Sequence, residues 1–320
     1  EENVPYQPKK FLEVNPNGAN EEDFVFILGY PGRTFKHQPS QFLEAQEKIQ
    51  LPYIQDMFSW LINLYEKRAE NDPEFALNIV SEIQGLANTE KNYRGKMQGL
   101  ERLNLIQKKQ DEEKQLQSFI DSNPKLKEEY GTVLSEIDEV YKDAFATGRR
   151  NLVLMMLSRN VDYYRLAEIF IDYKKEMLKP EAERKALYKE DKRSDFYNTI
   201  TSLYNSYMPD LDPQILYKIV NDASSFEELK DIEPFKSYSM EKNKQEFISD
   251  MYEESFINDS KEFFDLLEDE DETLEDIDDP YINFVKAAVE LGDAERKKSL
   301  TRDGRTNILL AKLNDVKRQW

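Results

Sequence analysis

Apolar side chains recur at helical spacing over nearly the whole chain, from about Gln41 to the end. A repeat of this kind gives each helix one apolar stripe, which has to be buried against other helices. Asp72-Pro73 and Asn123-Pro124 both place a capping side chain before a proline, the order typical of a helix start. The predicted fold class is therefore mainly α, an irregular multi-helix domain with a short N-terminal β segment.

The apolar pattern also predicts where the individual helices lie. Two amphipathic helices begin near Pro52 and Pro73, and Gly85, Gly95 and Gly99 in the second predict a kink or close packing near Asn92. The polar stretch that follows, Lys108–Lys114, is expected to be solvated. The later helices are predicted at Leu126–Phe145, Leu152–Met177, Phe196–Tyr207, Pro213–Val220, Gln245–Phe256, Tyr281–Glu290 and Ile308–Trp320.

The first forty residues have a different pattern. Phe11–Val14 can form a short strand, and Asn15-Pro16-Asn17-Gly18 suits a type I turn. Phe24–Leu28 is a continuous apolar run, which indicates a strand buried on both faces. A buried strand needs neighbouring strands, and the chain offers few others. We therefore expect two domains, a β-strand remnant over 1–40 and a helical domain over 41–320.

Charge and composition exclude several classes of function. The chain has 44 basic and 64 acidic residues, a net charge of −20, so that phosphate backbones and anionic lipid surfaces repel it. Nucleic acid and membranes are therefore not expected partners. It has no cysteine, which excludes disulfides, thiolate metal sites and thiol nucleophiles.

The sequence contains little that could carry catalysis by itself. Its one histidine, His37, has no recognisable serine beside it, so no catalytic residue is expected within the chain. Ten carboxylates crowd the stretch Asp265–Asp279, but no glycine there provides the turn of an EF-hand loop. We interpret this acidic stretch as a solvated face or loop and expect no metal site. Gly29 and Gly32 do not have the spacing of a nucleotide-binding loop, and no cofactor is expected.

Two blocks of sequence resemble a known family. The first contains Asn3–Lys9, Glu22-Asp23-Phe24 and the motif Gly29-Tyr30-Pro31-Gly32-Arg33-Thr34, and the second begins with Asn92-Tyr93 and continues through Gly99-Leu100 to Glu113. Both are similar to the bacterial dipeptidyl-peptidases of types 7 and 11. The resemblance implies a chymotrypsin-like serine exopeptidase with a helical domain inserted between the segments that carry its catalytic aspartate and serine. Gly29–Thr34 would be the last barrel strand before that insertion.

The same resemblance implies what this chain does in such an enzyme. We expect a fragment, the helical cap domain plus a barrel remnant, with the catalytic His, Asp and Ser outside it and no activity by itself. The partners expected are peptides with free N-termini and the remainder of the peptidase chain, with a homodimer for the full-length enzyme. A periplasmic or secreted bacterial location is expected as well.

One residue acquires a specific role from the resemblance. The family uses an asparagine of the helical domain, within an Asn-Tyr motif, to hold the free amine of the substrate, and Asn92 is the matching position. Arg94 and Gly95 after it depart from the family pattern, so Asn88 is the alternative amine contact. A polar asparagine on a solvated helix face is the other interpretation of Asn92. For the whole chain, the alternative function is a non-catalytic acidic helical interaction module.

Overall fold

A computed structural model of the protein describes residues 5–26 and 35–320. The chain divides into two compact units, Glu1–His37 and Gln38–Trp320. In the first unit, the predicted turn is formed: the Gly18 N–H donates to the Asn15 carbonyl at 3.2 Å, and Gly18 has a φ of +70°, which suits glycine.

The helical prediction is confirmed for the second unit, which we call the helical body. Within residues 35–320 the chain forms thirteen α-helices, and a π-helical turn, Gln46–Gln50, joins the first two. The helices are α1 (Ser40–Ala45), α2 (Leu51–Ala69), α3 (Pro73–Leu103), α4 (Leu105–Ser122), α5 (Pro124–Tyr130), α6 (Val133–Asn160), α7 (Asp162–Met177), α8 (Arg193–Ser206), α9 (Asp212–Ser225), α10 (Phe235–Met240), α11 (Lys244–Glu253), α12 (Ser260–Glu268) and α13 (Pro280–Gln319).

The β segment is not seen in the described part of the first unit. Residues 5–26 contain no strand, neither at Phe11–Val14 nor at the start of Phe24–Leu28. Phe24, Val25 and Phe26 are 90%, 67% and 70% exposed. Extended backbone becomes a strand only when a neighbouring strand completes its hydrogen bonds, and none does so here. The rest of the predicted strand and the Gly29–Thr34 motif lie outside the described residues.

Two apolar cores hold the helical body together. The large core is built mainly from α2, α7, α9 and the first half of α13, around fully buried rings such as Tyr163, Phe170 and Tyr281. The small core is formed by α4, α5, the start of α6 and the end of α13. Its members are Leu116, Ile120, Leu126, Tyr130, Val133, Ile137, Val140, Leu309, Leu313 and Val316. The long helices α6 and α13 take part in both cores and connect them.

The end of the chain is one helix where the sequence pattern indicated two. α13 runs unbroken from Pro280 to Gln319, so the separate helices predicted at Tyr281–Glu290 and Ile308–Trp320 are wrong in their boundaries. Between these two apolar stretches α13 contacts α6 through ion pairs, so no apolar stripe marks that part. The pairs are Arg150–Glu295 at 2.5 Å, Arg302–Asp143 at 2.8 Å and Arg305–Glu136 at 3.4 Å.

Two predicted helices are each divided in the structure. Leu126–Phe145 is interrupted at Gly131–Thr132, and Leu152–Met177 at Val161. At the second break, the first amides of α7 donate to a carboxylate from a distant part of the chain, Asp212. Apolar periodicity cannot reveal such a break, because it continues across both helices. The glycine-containing helix is not divided, since α3 runs from Pro73 to Leu103. The predicted close packing at its glycines is not found, because a Cβ added to Gly85, Gly95 or Gly99 would meet no atom within 4 Å.

Candidate functional site

The first turn of α3 fixes the helix that carries both candidate asparagines. Asp72 caps it, with Oδ1 accepting the Phe75 N–H at 3.0 Å, as the Asp72-Pro73 pair predicted. Arg68 donates to Asp72 at 2.8 Å and to Asp210 at 2.6 Å, and its guanidinium lies 5.0 Å from the centre of the Phe75 ring. The Phe75 amide and Arg68 both lower the pKa of Asp72. The start of α3 is therefore tied to α2 and to the segment before α9.

Asn88 and Asn92 lie on the exposed side of α3. The opposite side is buried, with Ile79, Leu86 and Leu100 in apolar contact. The two asparagines are one helical turn apart, about 6 Å along the axis. Neither amide has a hydrogen-bond partner among the described residues. Both carboxamide oxygens are therefore free to accept a hydrogen bond from a ligand such as an ammonium group.

The surroundings of the two asparagines differ in charge. Lys91 beside Asn92 is exposed, the Arg94 guanidinium lies 3.6 Å from Glu90, and the Lys96 ammonium lies 5.2 Å from the centre of the Tyr93 ring. Asn92 therefore lies among cationic side chains, which do not favour the binding of a positively charged ligand. Binding of an amine there would depend on the amide oxygen itself.

Beneath this surface, a buried carboxylate holds α3 against α2. Glu90 is 7% exposed, and its Oε1 accepts from the Gln55 side chain of α2 at 3.0 Å. A buried charged group is stabilised only when it is hydrogen-bonded, and here the bond crosses between helices. This contact and the packing of the apolar side of α3 fix how the helix is rotated about its axis. That rotation keeps Asn92 exposed.

His37, the sole imidazole of the chain, is exposed. No serine hydroxyl is bonded to it within the described residues. The structure therefore brings no nucleophile and base together around this histidine.

The acidic stretch Asp265–Asp279 comprises the last turn of α12 and an anchored loop, residues 269–279, before α13. The Lys174 ammonium donates to the carbonyl oxygens of Asp269 at 2.6 Å and Glu272 at 2.9 Å. Asp279 is 4% exposed and caps α13, accepting from the Ile282 amide at 2.8 Å. In the described ranges no three acidic, histidine or cysteine side chains are grouped as metal ligands. The loop is therefore anchored to α7 by a lysine.

Two buried carboxylates were missed by the sequence analysis. Asp212 is 3% exposed and accepts from the Asp162 amide at 2.7 Å and the Tyr252 hydroxyl at 2.6 Å. Burial raises its pKa to about 7. Glu113 is 7% exposed and accepts both the amide and the hydroxyl of Ser40, at 2.8 and 2.6 Å. It belongs to the stretch Lys108–Lys114, so the expectation that this stretch is solvated throughout is wrong.

No sequence signal could have found these two carboxylates. Each satisfies backbone amides at the start of a helix that is remote in sequence, 50 residues away for Asp212–Asp162 and 73 for Glu113–Ser40. A local cap has its acceptor within three residues of the amide it binds, whereas Asp212 and Glu113 are far in sequence from the amides they accept.

Comparison with known proteins identifies the relatives of this chain. The model of the peptidase S46 family matches residues 1–320. An Asp/Glu-specific dipeptidyl-peptidase of Shewanella putrefaciens is 23% identical over 317 residues, which cover 95% of this chain and 41% of that protein. A dipeptidyl-peptidase 7 of Capnocytophaga gingivalis is 29% identical over 157 residues, covering 49% of this chain and 22% of that protein.

The fold is also similar to a solved structure. The crystal structure of Porphyromonas endodontalis DPP11 in complex with the dipeptide Arg-Glu superposes with a TM-score of 0.69 at 15% identity, covering 98% of this chain and 44% of that one. The chain thus spans less than half the length of these relatives. No helix within the described residues is long and apolar enough to cross a membrane.

Proposed function

The chain belongs to the peptidase S46 family, and from this premise we propose that it forms the substrate-covering part of a serine dipeptidyl-peptidase. The helical body covers the cleft in which dipeptides are removed from peptide N-termini. The catalytic His, Asp and Ser are supplied by residues outside this chain. The observation that carries the proposal is the family match over residues 1–320, and within the described residues no serine hydroxyl is bonded to His37, the one histidine of the chain.

To release dipeptides, the enzyme has to bind the free amine of the substrate at a fixed distance from the peptide bond that is cleaved, which is the second from the N-terminus. Two extended residues span about 7 Å, so the group that holds the ammonium must lie that far from the scissile carbonyl. We assign this role to Asn92 because its carboxamide is exposed, unpartnered and carried by a helix whose orientation is fixed at both α2 and Glu90. A serine activated by histidine then attacks the second carbonyl, while closure of the helical body excludes longer N-terminal extensions.

The test is kinetic and uses the complete peptidase that contains this chain. We expect Asn92→Ala to lower kcat/KM for a dipeptidyl reporter substrate about 10- to 150-fold, because a hydrogen bond to a charged group contributes roughly 1.5–3 kcal/mol. Asn92→Asp keeps an oxygen acceptor and adds a favourable charge, so it should retain more activity than the alanine variant.

The matched control is Asn78→Ala. Asn78 is also an exposed asparagine of α3, about 21 Å from Asn92 along the axis, and its replacement should leave kcat/KM unchanged. If Asn92→Ala behaves like Asn78→Ala while Asn88→Ala loses activity, the amine contact belongs to Asn88. If all three variants match the parent enzyme, the amine site lies elsewhere.

Two further features of the enzyme are part of the proposal. We place it in the periplasm or outside the cell, where cell fractionation with an antibody would detect it. We also propose a homodimer of the complete enzyme, to be measured by sedimentation. The family match does not favour the alternative of a non-catalytic acidic interaction module.

A further inference from the structure

A groove of about 690 Å³ lies between α2, α9 and α11, beside the large core, and the core residues Ile248 and Tyr252 are among those that line it. Its walls are partly aromatic, with Trp60, Tyr207, Tyr217 and Tyr252 among the lining residues, and the others include polar side chains such as Gln214 and Asn221. Sites for small ligands usually measure about 300–1,000 Å³ and are lined by apolar and aromatic side chains with a few polar groups. The groove therefore has the size and lining of a binding site.

Tyr252 shows how the groove keeps its apolar lining. The Tyr252 hydroxyl donates to the buried Asp212 at 2.6 Å, and its ring stacks on that of Tyr163, with 4.5 Å between the ring centres. The polar end of this side chain is thus satisfied inside the protein. Both contacts hold Tyr252 in one position at the wall of the groove.

Negative charge is in excess at the rim. Lys218 is already paired with two carboxylates, Asp222 at 2.6 Å and Asp56 at 3.2 Å. Glu253 is exposed, and its Oε1 accepts from the Ser249 hydroxyl at 3.0 Å, which leaves its Oε2 without a partner among the described residues. A ligand with a positive charge would therefore be attracted, and an acidic one repelled.

We propose that this groove binds the side chain of an internal arginine or lysine of a peptide. The methylene stem would lie against Trp60 and Tyr217, and the charged head would reach the Glu253 carboxylate. Aromatic faces attract such cations, and a long basic side chain can bury its stem while its head stays at the rim. The inference rests on the proposed function to the extent that peptides are what such an enzyme meets, but it concerns a different part of the peptide from the free amine.

The experiment measures binding to the chain itself. Trp320→Phe leaves Trp60 as the one tryptophan, since the chain contains two, so fluorescence then reports on the groove. The probe is acetyl-Gly-Arg-Gly-amide, which has no free amine for Asn92 to hold. We expect a saturable change in Trp60 fluorescence with a Kd of about 1 mM or tighter, and weaker binding in 1 M salt.

Variants and control peptides make the result specific. Glu253→Gln and Tyr217→Leu should each weaken binding about 2- to 5-fold. Glu254→Gln, which removes the neighbouring exposed carboxylate outside the groove, should not change the Kd. Asn92→Ala should not change it either, so that failure of the amine site and failure of this groove give different results.

Three outcomes would overturn the proposal. They are the absence of a saturable signal, equal Kd values for acetyl-Gly-Glu-Gly-amide or acetyl-Gly-Met-Gly-amide, and equal effects of the Glu253 and Glu254 variants. Amide chemical-shift mapping by NMR provides a second measurement. Shifts confined to the groove-lining parts of α2, α9 and α11 would support the groove, and shifts only in other parts of the chain would contradict it.

Discussion

Asp212 joins three helices through one buried carboxyl group. It belongs to α9, accepts the first two amides of α7 and receives the hydroxyl of Tyr252 from α11. Burial is the main reason that its pKa rises from 3.8 to about 7, and the nearby Asp162 carboxylate raises it further. The three hydrogen bonds act in the opposite direction. In the folded protein, this group therefore takes up a proton at a far higher pH than in the unfolded chain.

This pKa predicts a pH dependence of stability. Below about pH 4 the carboxyl is protonated in both states, so burial carries no charge penalty. As the pH rises towards 7, the carboxyl ionises in the unfolded chain and lowers the free energy of that state. In the folded state it stays protonated, so the free energy of unfolding should fall. The loss is at most about 4 kcal/mol, and it should level off above pH 7.

Asp212→Asn isolates this contribution. The amide stays neutral but still offers an oxygen to the start of α7, so the free energy of unfolding of this variant should fall less between pH 4 and 7 than that of the parent chain. Urea unfolding at a series of pH values measures the difference. Asp231→Asn, at an exposed carboxyl, is the control and should follow the parent. A parallel pH profile for the Asp212 variant would mean that this carboxyl is ionised throughout.

At the scale of elements, α3 is one undivided helix although three glycines interrupt its pattern. A methyl group built onto Gly95 would meet no atom within 4 Å. Gly95 therefore does not mark a close helix contact, and the orientation of the neighbouring Asn92 comes from the buried side of the helix. Gly131 differs, because a methyl group there would collide with the Lys127 carbonyl.

This contrast predicts opposite effects of the same substitution. Gly95→Ala should stabilise the chain by about 1 kcal/mol, because alanine is the better helix former and space is available. Gly131→Ala should destabilise it, because the backbone between α5 and α6 has to move. Urea midpoints of the two variants measure both effects. Loss of stability in Gly95→Ala would show that this side of α3 is covered.

At the scale of the whole helical body, two cores share two long helices. Between the cores, α6 and α13 are held together by ion pairs, and one of these, Arg150–Glu295, is almost completely buried. Apolar packing is therefore concentrated at the two ends of this helix pair. We expect the small core to open without the large one, because little apolar contact couples them.

Leu313→Ala tests that separation. Leu313 is fully buried in the small core, so its truncation should cost about 2–5 kcal/mol. Hydrogen exchange should accelerate in α4, α5 and the end of α13 while α7 and α9 keep their protection. Leu300→Ala on the same helix is the control, since Leu300 is 68% exposed and its loss should change stability by less than about 0.5 kcal/mol. A uniform loss of protection in both cores would contradict the prediction.

The sequence by itself determined the helical fold class, the family resemblance and the local helix starts. Asp72 and Asn123 were predicted correctly as caps because a cap and its amides lie within three residues of each other. The tertiary structure alone decided features that depend on distant partners. Examples are the single course of α13, the break before α7 and the burial of Glu113. Periodicity records which side of a helix is apolar, whereas ion pairs and remote caps join residues that no local pattern connects.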